Sequence, residues 1–204
     1  MDDFIFRDDL EFIDPDVNEV IQREAERQVR KLIMIPSESE APRAVRECLG
    51  SVFQNLYAEG YPEESTRFLK ENEILDFTQQ LNHFRRYSDP RYYKGVEFAD
   101  IIEALARRRC AELFATDQFG ADEIFINVQP LSGAPANNAV YQALIKPGDT
   151  IMGMNLFHGG HLTHGSSVNR SGNLYKAFHY SVHPETEQID YEAVNRQLKN
   201  INPN

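Results

Sequence analysis

Cysteine is nearly absent from this chain of 204 residues: there are two, Cys48 and Cys110, far apart and in no metal-binding or redox spacing. That excludes a cysteine metal centre or redox motif, and it points to a reduced intracellular compartment. Long apolar runs are missing as well, so nothing in the chain is suited to span a bilayer. The acidic start Met1-Asp2-Asp3-Phe4-Ile5-Phe6 has no signal or transit pattern, and a cytoplasmic location is expected. Positive charge is in deficit: the formal net charge is −11, which argues against nucleic acid or an anionic membrane as a main partner. An anionic ligand would have to be held by local backbone dipoles. Internal repeats and low-complexity tracts are also lacking. What is present is a 41% hydrophobic composition, enough to bury a sizeable core.

Along the chain, Asp14-Pro15 reads as a helix start, with Asp14 as cap and Pro15 at the first helical position. Val17, Val20, Ile21, Ala25, Val29 and Leu32 follow at helical spacing. A second helix is expected from Pro42 to about Gly50, and Asn55 to Pro62 should be irregular because Gly60 and Pro62 break it. Residues 63–90 are charged and read as a surface insertion, with a helical stretch near Ile74 to Leu81 and a stop at Asp89-Pro90. Phe98 to Leu113 predicts a long amphipathic helix. Strands are expected at Glu123–Val128, Thr150–Met154 and Leu174–Tyr180. Helices are expected from about Pro135 to Ile145 and after Asp190. This order implies an α/β fold with a mainly parallel or mixed sheet flanked by helices. Residues 1–95 read as a helical arm with site loops, and residues 96–204 as the first part of a larger α/β domain. The strands are too few for a complete doubly wound sheet, so the chain is expected to be the front portion of a larger protein.

Four segments carry the chemistry. In Val128-Gln129-Pro130-Leu131-Ser132-Gly133-Ala134-Pro135, a strand leads through a Ser-Gly turn into a helix. Backbone N–H groups at a helix start bind phosphate, and Ser132 adds a hydroxyl donor. An ordinary turn with Ser132 as the helix cap is the competing reading. In Leu156-Phe157-His158-Gly159-Gly160-His161-Leu162-Thr163-His164-Gly165, paired glycines would let the backbone approach a flat ligand, and His161 could lay its ring on that ligand's face. The equal spacing of His158, His161 and His164 also admits hydrogen bonding within a turn; a metal site is not expected. In Tyr57-Ala58-Glu59-Gly60-Tyr61-Pro62, a carboxylate between aromatic rings should be partly desolvated and suited to proton transfer; the competing reading is a solvated loop with Glu59 paired to an arginine. In Ile35-Pro36-Ser37-Glu38-Ser39, Ser37 reads as a helix cap for the Pro42 helix region or as a plain loop hydroxyl.

Together, and in this order, these segments resemble the serine hydroxymethyltransferase family over most of the chain, from about Asp14 to Leu198. The resemblance implies a fold-type I, pyridoxal-phosphate-dependent transferase, incomplete in this chain. Such an enzyme interconverts serine and glycine and passes a one-carbon unit to tetrahydrofolate. It implies that Ser132, Gly133 and Ala134 hold the cofactor phosphate and that His161 stacks on its ring. It assigns proton transfer to Glu59 and an active-site role to Tyr93. Tyr57 would reach a neighbouring subunit's phosphate, which makes a homodimer the expected assembly. Ser37 would contact the substrate carboxylate, and Leu156, Gly160 and Leu162 would line the folate pocket. Ala134, Ser39 and Lys94 depart from the family pattern, and about 28 residues separate Pro62 from Arg91-Tyr92-Tyr93 where the family has almost none. None of the six lysines stands in the family's Schiff-base context. The alternatives are an aldolase-like relative or a non-catalytic partner subunit.

Overall fold

Asp14 starts the first long helix as its position predicts: its side chain accepts the Val17 N–H at 3.0 Å, and Pro15 occupies the first turn. The computed structural model describes residues 8–201. The chain divides into two compact units, residues 1–57 and 58–204. In the first, a single turn α1 (Leu10–Ile13) precedes α2 (Pro15–Arg30), and α3 (Arg43–Leu49) follows, closed by Gly50. A 3₁₀ turn over Val52–Asn55 leads into the irregular Tyr57 segment. None of the described residues of this unit is buried. The polar face of α2 carries exposed ion pairs, Arg23–Glu19 and Arg27–Glu24 among them. Such pairs contribute little to stability.

The second unit is built on α6 (Glu97–Phe114). The segment 63–90 folds over it as a 3₁₀ turn (Glu64–Phe68), the short α4 (Glu71–Ile74) and α5 (Phe77–Tyr87). Between the last two, Asp76 breaks the helix and recaps it by accepting the Gln79 N–H. Charged outside, the segment is apolar inside: its Ile74 and Phe84 join Ile101 and Ala104 of α6 in a buried cluster, with Leu69 and Leu105 against it.

Helix α7 (Gly133–Leu144) is followed by β1 (Thr150–Met154), α8 (Arg170–Leu174), β2 (Lys176–Tyr180) and α9 (Tyr191–Ile201). Strands β1 and β2 are parallel neighbours, with Thr150 opposite Lys176 and Met154 opposite Tyr180. Asp190 caps α9 through the Ala193 N–H. Two strand expectations change. Glu123 closes a 3₁₀ turn (Ala121–Glu123), and 124–128 has no ladder partner among the described residues. A strand needs that partner to satisfy its backbone. The apolar Leu174 ends α8 instead of starting β2, because Asn169 caps a short helix there by accepting the Ser171 N–H.

Candidate active site

The loop after β1 is held by its own histidines. His158 Nδ1 accepts the Val182 N–H at 3.1 Å, and His164 Nδ1 accepts the His161 N–H at 3.1 Å. His161 Nδ1 meets Thr163 Oγ1 at 2.7 Å and accepts the Thr163 N–H at 3.2 Å. The turn reading is realised for His161 and His164, whereas His158 ties the loop to Val182, 24 residues onward. Among the described residues, no group of three His, Cys, Asp or Glu side chains is placed to hold a metal ion. Burial, followed by the nearby His161 and His179, pushes the His164 imidazole below its ordinary range.

The paired glycines are required by the loop's own packing. A Cβ on Gly160 would lie 2.0 Å from the Met154 carbonyl oxygen, and Gly159 is left-handed at φ +103°. Both residues fold the loop tightly back on the end of β1.

Thr163, fully buried, is the junction of the site. Its Oγ1 accepts the Asn137 side-chain amide at 2.7 Å, and its carbonyl accepts the Tyr141 hydroxyl at 3.0 Å. Asn137 and Tyr141 lie on α7, the helix that starts at Gly133 directly after Ser132. The Ser-Gly turn's own helix is thus docked on the His161 loop. Ser132 stands exposed and extended, and its hydroxyl makes no capping bond. Ser132 thus holds the cap position of the helix without its side chain doing the capping. The N–H groups of Gly133 and Ala134, in the first helical turn, have no acceptor within the helix. A free hydroxyl beside free amides at the positive end of a 12-residue helix fits a phosphate. A ring held through Nδ1, with the imidazole exposed, fits a stacking partner. Beside that ring lies a cavity of about 180 Å³, lined by Asn155, Leu156, Phe157, His161, Ser166 and His179. Of the residues named from the sequence, Leu156 and His161 line it, and Gly160, Leu162 and Ser132 do not.

The Glu59 loop is clamped by a residue that the spacing alone did not single out. Arg91 is buried and donates through Nη1 to the carbonyls of Ala58 at 2.9 Å and Gly60 at 2.8 Å. Its other donors reach Asp100 and Glu103 on α6, each at 2.7 Å. Tyr92 N–H donates to the Glu59 carbonyl at 2.9 Å, and the Gln129 side-chain amide donates to Gly60 and Glu103. One arginine thereby ties the Glu59 segment to the Tyr93 segment across the 63–90 excursion. The Glu59 side chain itself is exposed, as is the Tyr61 ring beside it, so the flanking aromatics do not desolvate it within this chain. Tyr93 is half exposed. Ser37 and Tyr57 lie in the first unit, both exposed.

Residues 10–87 and 83–204 match the family model described as serine hydroxymethyltransferase. A serine hydroxymethyltransferase of Kocuria rhizophila is 46% identical over 195 residues, which cover 96% of this chain and 38% of that protein. One of Bifidobacterium longum subsp. infantis is 43% identical over 190 residues, covering 93% of this chain and 36% of that protein. The chain thus spans less than two-fifths of the length of these relatives.

Proposed function

The chain belongs to the serine hydroxymethyltransferase family, and from that premise we propose that it forms part of a fold-type I, pyridoxal-phosphate-dependent enzyme. The enzyme interconverts serine and glycine and transfers the one-carbon unit to tetrahydrofolate. The observation that carries the reading is the Thr163 junction, which binds Asn137 of the Ser132 helix and the His161 ring at once. An anion-binding turn and a flat-ring platform are thereby parts of one rigid assembly.

When bound, pyridoxal phosphate supplies an electron sink that weakens the bonds to the substrate α-carbon. The chain does the rest. Ser132 Oγ and the amides of Gly133 and Ala134 take the phosphate, and with one hydroxyl fewer than the family pattern the amides carry more of the load. His161 holds the plane of the ring through its bond to Thr163. Glu59 moves a proton at the substrate hydroxyl, from a loop whose backbone Arg91 fixes. An exposed Glu59 suits this role once substrate and folate close over it and remove its water. Tyr93 sits on the strand of chain that Arg91 begins, and so shares its anchor. Leu156 offers an apolar wall to the folate ring, with Gly160 and Leu162 flanking the same loop. The roles of Ser37 toward the substrate carboxylate and of Tyr57 toward a neighbouring subunit's phosphate rest on their motifs.

The test is serine cleavage by the protein that carries this chain, measured with and without tetrahydrofolate. Cleavage stimulated by tetrahydrofolate and lowered about 10²-fold by His161→Ala is expected. Cleavage indifferent to tetrahydrofolate would move the assignment to an aldolase-like relative. No cleavage at all would make the chain part of a non-catalytic partner.

A further inference from the structure

His161 has two ring nitrogens, and the bonds around it decide which one carries the proton. Nδ1 lies 3.2 Å from the Thr163 backbone nitrogen and accepts its N–H. A peptide N–H can only donate, so Nδ1 presents a lone pair there. Thr163 Oγ1 stands 2.7 Å from the same Nδ1. Thr163 has no exposed surface, so water does not take its hydroxyl proton, and a buried hydroxyl needs an acceptor. On the other side, the Asn137 side-chain amide donates to Oγ1 at 2.7 Å. The hydroxyl proton is left for His161 Nδ1, which thus receives both donors of one residue.

The chain of donors has a direction. It starts at Asn137 on α7, passes through the Thr163 hydroxyl and ends on His161. Each link depends on the one before it, because an oxygen that accepts from Asn137 keeps its own proton for the ring. His158 and His164 also spend Nδ1 on a backbone N–H, from Val182 and His161 respectively. Only His161 among the three is tied in addition, through a hydroxyl, to the helix that follows Ser132. With Nδ1 occupied, the ring's remaining polar group is Nε2, which must then carry the proton.

We propose that Asn137 and Thr163 are positioning residues that hold the neutral His161 ring as its Nε2–H tautomer. What this serves rests on the function proposed above: His161 meets the cofactor ring as an uncharged face with one N–H donor and no free lone pair, so it is not the base of the reaction. Magic-angle-spinning ¹⁵N NMR of the protein that carries this chain, labelled in its histidine rings, reads the tautomer without cofactor or turnover. At about pH 8 an imidazole is uncharged, and its two nitrogen signals differ by which bears the proton. The signals lost in His161→Gln belong to His161. In the wild type Nε2 should be protonated and Nδ1 bare. Asn137→Asp reverses the first link, because a carboxylate only accepts. The Thr163 hydroxyl then turns to it, and the proton signal should move to His161 Nδ1. Asn137→Ala removes the link without reversing it and should keep the wild-type pattern, as should Thr163→Ser, which retains both donors. Structural damage alone would act alike in Asn137→Ala and Asn137→Asp, so their contrast isolates the relay. A proton on Nδ1 in the wild type, in Asn137→Ala or in Thr163→Ser, or an Asn137→Asp spectrum identical to wild type, would overturn the proposal. The wild-type spectrum needs no variant, so a variant that fails to fold does not spare it. Absence of serine cleavage would remove the proposed function and leave these signals in place, which keeps the two tests apart.

Discussion

Arg91 concentrates more of the second unit's polar structure than any other side chain described. It is 2% exposed, and it faces two carboxylates and three backbone carbonyls on chain segments far apart in sequence. A buried ion pair is weak evidence for net stability, but removing one partner strands the other in a low-dielectric interior. Arg91→Ala is therefore expected to destabilise the chain by about 3–5 kcal/mol, read as a fall in the urea midpoint. Arg91→Lys should recover only a minor part, since an ammonium cannot present the planar fork that reaches Asp100, Glu103 and both loop carbonyls together. A midpoint within about 0.5 kcal/mol of wild type for Arg91→Lys would show that the fork is unnecessary. The motif Arg91-Tyr92-Tyr93 was visible in the sequence, yet the arginine's task was not. Its partners lie 9 and 12 residues onward on α6 and more than 30 residues back at Ala58 and Gly60, and only the fold brings them together.

At the level of elements, what could be read was what is local. The cap at Asp14, the break at Gly50, the long α6 and the β1 strand each follow from residues within a few positions of one another. The failures were non-local. Glu123–Val128 has strand composition, but pairing needs a second strand that composition does not announce. The His158–Gly165 loop stood out in the sequence as a candidate site, but its structure was illegible there, because its glycines and histidines answer to Met154, Val182 and Thr163. This loop has a pH dependence of definite sign. His164 titrates below the unfolded value of 6.5, since burial and the nearby His161 and His179 oppose a charge on it. Above pH 6.5 both states are neutral and its contribution is full. As pH falls, the unfolded chain takes the proton first, and stability is lost down to the folded pKa. Asp100 works in the other direction, losing stability as pH rises through about 6. The His164 effect is isolated by subtraction: the gap in unfolding free energy between wild type and His164→Gln should narrow as pH drops from 7 to 5. A gap that is flat or widens across this window would assign the loop's stability elsewhere.

At the scale of the whole molecule, the first unit has an amphipathic helix and, among its described residues, no buried side chain. Val20 is 66% exposed and Val29 and Leu32 are each 87% exposed, although their spacing on and after α2 is that of a buried face. Each such side chain gains about 1.5–3 kcal/mol on full burial, so a face of this kind is stable only when another surface covers it. A second copy is the cover that also gives Tyr57 its proposed role, because a residue offered to a neighbouring subunit must end an arm with its ring exposed, and Tyr57 closes this unit at 68% exposure. The protein that carries the chain is therefore expected to sediment as a dimer. Val20→Glu combined with Leu32→Glu should shift it toward monomer, because two carboxylates on each copy's face put four into an isologous interface. Activity should fall in parallel with the monomer fraction, although the Ser132 turn, the Thr163 junction and the Arg91 clamp are untouched. A variant that remains a dimer with full activity would instead place these side chains under other parts of the same subunit, and Tyr57 would lose the argument that points it across a two-fold axis.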